Sequence, residues 1–193
     1  MTILADGASN TPAAWTERAK QHDEPWTACG WSRRSQEARF DKILAELDPA
    51  VDETLLDYGC GTGDFAPLLP RRTAYVGFDW SLGMVARAKR THGHLPLTEF
   101  TTMLTDGDTW DLVVCCGPFN LKDNWSMAQT WALMRMLWAR TRRAMAVSLY
   151  HGSDPSCLRY VPSEVAMTAQ ALSPKFTIER GYLPNDLLVV LRR

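Results

Sequence analysis

Three glycines spaced two apart, with an acid on each side, are the residues of this 193-residue chain best placed to do chemistry. The stretch reads Asp57-Tyr58-Gly59-Cys60-Gly61-Thr62-Gly63-Asp64, and Leu55-Leu56-Asp57 is a short apolar strand running into it. A strand that ends in G-x-G-x-G and turns toward a helix is a nucleotide-type binding element, because glycine takes positive φ and lets the backbone approach a ligand. The dinucleotide fingerprint needs a glycine three residues after the second, and position 64 is Asp. A carboxylate there repels a pyrophosphate, so the loop suits a ligand without phosphates and with positive charge. Asp79 ends the next strand, 22 residues after Asp57, where an acid accepts both hydroxyls of a ribose.

S-adenosylmethionine meets these requirements with its sulfonium, α-ammonium and ribose diol, and Asp57 and Asp64 are placed to face them. The same residues carry a family resemblance. Leu55 to Gly63 resembles motif I of class I S-adenosylmethionine-dependent methyltransferases. Gly77-Phe78-Asp79-Trp80-Ser81-Leu82-Gly83-Met84-Val85-Ala86-Arg87-Ala88 resembles that family's next block, in which an acid binds the ribose and the following residues flank the adenine. Asp111 to Gly117 resembles the fourth-strand motif beside the site of methyl transfer. The resemblance covers about Asp52 to the C-terminus. It implies S-adenosyl-L-methionine as cofactor, S-adenosyl-L-homocysteine as product, and cofactor contacts from Asp57, Gly59, Cys60, Gly61, Thr62, Gly63, Asp64, Asp79, Trp80, Met84 and Cys116. The chain departs from the family after the third strand, where an acid for the adenine amino group gives way to Phe100-Thr101-Thr102-Met103. Asp106 and Asp108 lie further on; either that loop is rearranged, or a backbone group and Thr102 take over.

The elements that must hold these residues alternate. Thr11-Pro12 starts a helix that runs to about Gln21, and Ser32 opens a second one carrying Phe40, Ile43, Leu44 and Leu47 at the helical period until Asp48-Pro49. Strands follow at 55–57, 74–79, about 97–101, 111–116 and 144–150, with helices from about 82 to 90, from Ser126 to about 140 and from 162 to 172. Ser126 with Gln129 forms a capping box. Pro67 and Pro70 require the helix after the glycine loop to be short. The chain closes with an antiparallel pair, 175–182 and 187–191. Alternating strands and helices predict a parallel sheet covered on both faces. With the resemblance this becomes a Rossmann-like three-layer α/β sandwich, a mostly parallel seven-stranded sheet with an antiparallel C-terminal strand, preceded by N-terminal helices. A single methyltransferase domain over 1–193 is expected, with 1–50 a helical lid and 51–193 the cofactor-binding core.

The acceptor side is less defined. Cys116-Gly117-Pro118-Phe119-Asn120 follows the fourth strand, where ligands sit in such sheets. It matches poorly the Pro-Pro-aromatic motif of amino-methyltransferases, and a rigid turn is the competing explanation. Asn120 and Lys122 are pocket candidates. Tyr150-His151-Gly152 follows the fifth strand; His151 has the ordinary pKa of a general base, and a solvated loop histidine is the plainer alternative. In small methyltransferases a leading helix often lies over the cofactor, which makes Trp31 and Gln36 candidates and sets Arg33 and Arg34 toward an acidic substrate. A helix packing one face on the sheet, with its charges in water, is the competing explanation. The Trp131/Met134/Trp138 stripe reads as core. His92-Gly93-His94 lacks a third ligand of suitable spacing, so no metal is expected. No catalytic residue is identified.

Composition sets the outer bounds. The length fits one domain with a real core, and a net charge of −1 supplies no global attraction for nucleic acid or an anionic membrane. Five cysteines, odd in number and without CxxC spacing, favour a reducing compartment and a cytoplasmic location. Residues 1–10 read as a loose tail with no signal peptide. Methyl transfer to a small molecule is the expectation, and oligomeric state is open. The rivals are modification of a nucleic acid base or protein side chain, and an inactive scaffold that kept the fold.

Overall fold

Consecutive apolar residues that no helical period explains become the centre of one sheet. The computed structural model describes residues 11–193, so the tail at 1–10 lies outside the described residues. Its strands are β1 (Thr54–Tyr58), β2 (Ala74–Phe78), β3 (Thr98–Thr101), β4 (Trp110–Cys116), β5 (Thr141–Tyr150), β6 (Lys175–Glu179) and β7 (Asp186–Arg192). They pair in the order β3-β2-β1-β4-β5-β7-β6. β7 is antiparallel to both β5 and β6, whereas β1 to β5 pair in parallel. The expected closing pair is therefore confirmed, with one refinement: β7 is inserted between β5 and β6, so β6 runs with the rest and β7 alone runs against them.

Side chains alternate across the sheet and meet helices on each face. Leu55, Leu112, Val114 and Cys116 share one core with α3 (Arg33–Leu47), through Phe40, Ile43 and Leu47, and with α4 (Leu82–His92), through Val85 and Ala88. Leu56, Val113, Cys115, Met145 and Val147 share the other with α5 (Met127–Ala139) and α6 (Pro162–Leu172). Each fully buried Leu, Ile or Phe contributes about 1.5–3 kcal/mol. Met134 and Trp138 are buried in that second core with Trp131 packed against it, as the stripe predicted.

Helix starts follow the caps. The Thr11 hydroxyl accepts from the Ala14 N–H ahead of α1 (Pro12–Gln21), and Ser126 exchanges bonds with Gln129. Two departures are local. Pro25 and Trp26 begin a one-turn helix, α2 (Pro25–Ala28), that the sequence does not signal. The helix after the glycine loop shrinks to a 3-10 turn at Ala66–Leu68, because Pro67 supplies no N–H to extend it.

Three long-range contacts fix the N-terminal segment. The Arg87 guanidinium on α4 donates to the carbonyls of Ala19 (3.2 Å), His22 and Asp23, closing the end of α1. Thr16 meets Ser81 at 3.0 Å and accepts from the Gly83 N–H at 3.2 Å. A Cβ on Gly83 would stand 2.7 Å from the Thr16 Cα, so the two helices touch through a residue that has none. Further along, the Arg39 Nε on α3 donates to Asp186 at 2.5 Å, with both side chains almost wholly buried.

Candidate active site

The order of strands reverses between β1 and β4, and in open α/β sheets ligands bind beyond the carboxyl ends of the strands at that point. The cleft lies there. It holds about 880 Å³ including its open mouth and is lined by the ends of β1, β2 and β4 together with the N-terminal segment. Gly59 and Gly61 form its floor, Phe78, Asp79, Trp80 and Met84 one wall, and Cys116, Gly117, Pro118, Asn120 and Leu121 the other. Trp15, Cys29 and Trp31 join the lining from the segment before β1, and Asn124 and Trp125 from the loop after β4, with the Trp125 ring stacked on Trp80.

The three loop glycines have φ of +83°, +54° and +81°, each in the left-handed region that favours glycine. Each also leaves room for a different neighbour. A Cβ would stand 2.8 Å from Pro118 at Gly59, 2.8 Å from the Cys29 sulfur at Gly61, and 2.5 Å from Phe100 at Gly63. The loop is thus the meeting point of the β4 exit, the N-terminal cover and β3.

Asp79 is the one charged side chain that lines the cleft among the described residues. Its two oxygens accept from the Gly61 N–H (3.0 Å) and the Ser81 N–H (2.8 Å), which ties the glycine loop to the start of α4. A carboxylate has about four acceptor positions, so the remaining ones are free for a ligand's hydroxyls. Burial raises its pKa to about 6, against the pull of the two N–H donors. Asp57 is buried beneath the loop, accepts from the Tyr75 hydroxyl at 2.8 Å, and is raised to about 7, again chiefly by burial. The other titratable groups on the cleft wall stay neutral: burial lifts the Cys29 thiol and the Tyr58 phenol to about 12 each and pushes the Cys116 thiol up as well.

Both acids titrate above the ordinary carboxylate range near 4, so the folded chain holds protons that the unfolded chain has released. Stability of the ligand-free protein should therefore fall as pH rises from about 4 to 7. Expected is a higher Tm at pH 5 than at pH 8; a flat or rising profile over that range would contradict the burial of these two groups.

The structure gathers some of the sequence candidates and sends others elsewhere. Gly59, Gly61, Asp79, Trp80, Met84, Cys116, Trp31 and Asn120 line the cleft. Asp57, Cys60, Thr62 and Gly63 support it from within. Asp64 turns away, because the Thr62 hydroxyl donates to it and His92 stands 3.4 Å from its other oxygen. Lys122 donates to the Pro155 carbonyl at 2.8 Å, and the Tyr150 hydroxyl is taken by the Asp154 N–H. The His151 backbone N–H donates to the Asn185 carbonyl, and Gln36 is buried on α3; neither side chain lines the cleft. Arg33 pairs with Glu37 in solvent instead of facing a substrate. Thr102, Asp106 and Asp108 are absent from the lining, and Asp106 meets Arg140 on the surface. Asp111, at the opposite end of β4, accepts from Arg142 and from Thr54, and the Arg142 hydrogen bond holds its pKa well below the usual range. It braces β1, β4 and β5 far from the cleft.

Trp15, Cys29, Asn124 and Trp125 had no local signal, since nothing in their neighbouring residues points to the glycine loop. Trp15, Trp26 and Trp31 lie close together in the sequence, and that crowding of aromatic side chains is the single feature of the region that points to a shared surface.

Residues 55–139 match the family model described as a methyltransferase domain. That stretch runs from β1 through α5 and takes in the glycine loop and Asp79. The methyltransferase fold extends over nearly the whole chain. The structure of magnesium protoporphyrin IX methyltransferase (ChlM) from Synechocystis with bound SAM is 17% identical, with 96% of this chain and 93% of that one covered and a TM-score of 0.67. A DhpI-SAM-HEP complex is 16% identical over 98% and 100%, with a TM-score of 0.71. The N-methyltransferase NodS from Bradyrhizobium japonicum, in complex with S-adenosyl-l-homocysteine, is 13% identical over 95% and 99%, with a TM-score of 0.70. At such identities these likenesses establish the fold. No curated protein sequence matches the chain. No helix among the described residues is long and apolar enough to cross a membrane.

Proposed function

We propose that the cleft binds S-adenosylmethionine across Gly59, Gly61 and Asp79 and that the acceptor is a small molecule. The observation that carries this reading is Asp79: a carboxylate pinned by two backbone N–H groups, with acceptor positions to spare, set among aromatic walls. Asp79 would take the ribose diol, Trp80 and Met84 would flank the adenine, and Cys116 and Gly117 would border the methionine end. Asp57 would act from beneath, holding the loop through Tyr75.

The cofactor supplies a methyl group on a sulfonium, transferred by in-line displacement. The chain's share is positioning, which alone lowers such barriers by several kcal/mol. Gly117, at φ +87°, supports this placing: a Cβ there would stand 2.7 Å from the Trp31 ring, so the cover lies directly on the β4 exit. Residues 11–50 would serve as that cover and 51–193 as the core. With Cys29, Tyr58 and Cys116 all neutral and Asp79 given to the ribose, the described residues lining the cleft offer no general base, and the acceptor would bring its own lone pair. A small acceptor is favoured because, among the described residues, no Lys or Arg lines the cleft to follow a polynucleotide backbone.

Titration calorimetry with S-adenosylmethionine, followed by mass spectrometry of metabolite extracts for species that gain a methyl group, tests the proposal. Cofactor binding together with a methylated small molecule is expected. Methylation confined to RNA or protein fractions would overturn the small-molecule assignment, and absence of cofactor binding would overturn the whole reading.

A further inference from the structure

We propose that Asn120 selects the methyl acceptor, and that this acceptor is a flat, neutral aromatic molecule presenting a hydrogen-bond acceptor to the Asn120 amide. The inference rests on the reading of the cleft as a methyl-transfer site and adds the class of molecule it takes.

Asn120 lies just past β4 and is 4% exposed. Its side-chain oxygen accepts from the Tyr150 N–H at 2.9 Å, at the end of β5. A backbone N–H can be met only by the oxygen of an amide, so this bond also fixes where the nitrogen points. The backbone is pinned too: the Asn120 carbonyl accepts from the Leu158 N–H at 2.8 Å. The Nδ2 group, with two N–H donors, has no protein acceptor among the described residues, and Asn120 lines the cleft. The Nδ2 group is not sealed in the core, so its two donors are left for water or for a ligand in the cleft.

Position separates this group from the cofactor. The cofactor site is built on β1 and β2, at the glycine loop and Asp79, whereas Asn120 is tied to the end of β5. The same cleft is lined by Trp31, Tyr58, Pro118, Leu121 and Trp125, which offer apolar and aromatic surface. Among the described residues, an anionic acceptor would meet no cation on these walls, and a cationic one would find no carboxylate besides Asp79, which the ribose engages. A flat neutral ring that accepts one hydrogen bond satisfies all of them.

Equilibrium dialysis at pH 8, with the protein saturated in S-adenosylhomocysteine, compares three flat probes of similar area: 4-quinolone, naphthalene and 1-naphthoate. The expected result is 4-quinolone bound about tenfold more tightly than naphthalene, the size of one net hydrogen bond in a dry site, with 1-naphthoate weakest. Asn120→Asp keeps the acceptor for the Tyr150 N–H and replaces the donor by an oxygen. It should abolish the 4-quinolone preference while leaving S-adenosylhomocysteine affinity unchanged. Tightest binding of 1-naphthoate, equal binding of 4-quinolone and naphthalene, or an undiminished preference in Asn120→Asp would each overturn the proposal. The wild-type comparison needs no variant, so a poorly folded Asn120→Asp protein leaves the proposal open to refutation. Failure of wild-type protein to bind S-adenosylhomocysteine would instead overturn the cleft's assignment, and this proposal with it.

Discussion

Replacing Asp79 by Ala should weaken S-adenosylmethionine binding by about a hundredfold or more, the combined worth of two hydrogen bonds to a carboxylate at about 1.5–3 kcal/mol each. The same change should cost little stability at pH 8 and can raise it. Asp79 is buried and its pKa lifted to about 6, so at pH 8 the ligand-free fold carries a desolvated charge. Of the two N–H groups it releases, the one on Gly61 faces the cleft, and the buried one on Ser81 can be met by water filling the space the carboxylate leaves. Calorimetry gives the first quantity and thermal unfolding the second. Unchanged cofactor affinity would remove Asp79 from the site. A large fall in Tm together with lost binding would mean that Asp79 holds the loop in place more than it holds the ligand.

Arg39→Met should have the largest effect on the fold itself. It leaves the Asp186 carboxylate buried without its 2.5 Å partner, and breaking a buried pair from one side costs about 3–5 kcal/mol. For a chain of this size each kcal/mol lowers Tm by roughly 2–4 °C. The double change Arg39→Met with Asp186→Leu should recover most of that loss, because two apolar side chains replace two charges. Cofactor affinity should fall in the single variant as well. The Arg39 guanidinium stands 4.8 Å from the centre of the Trp31 ring, and Trp31 covers the β4 exit. Denaturant unfolding of the three proteins decides the matter; a single variant as stable as wild type would show that the pair contributes nothing net.

The sheet was largely legible in the sequence because its determinants are local. The apolar run from Leu112 to Cys116 has no helical period, Ser126 and Gln129 sit at capping distance, and glycines two apart have few other uses. The glycine loop and Asp79 could be read for the same reason. Asp64 could not: its charge suggested a cationic ligand, but the Thr62 hydroxyl two residues away and His92 claim the carboxylate. Charge is written in a sequence and direction is not. The cover was equally hidden. Trp15, Cys29 and Trp31 act on residues thirty to a hundred positions away, and Arg39 meets a partner 147 residues along the chain. Periodicity and caps report on neighbours, and these contacts are between strangers in sequence.

The place of β7 carries a consequence for how the molecule comes into being. Six strands precede it, yet its slot is interior, between β5 and β6. A nascent chain that has already made β1 to β6 therefore still shows the bare edge of β5, with Met145, Val147 and Leu149 flanking hydrogen-bonding groups that nothing yet satisfies. Such an edge is an invitation to any other extended segment nearby. The stretch from Leu187 to Leu191, buried throughout in the finished fold, is the latch that withdraws the invitation.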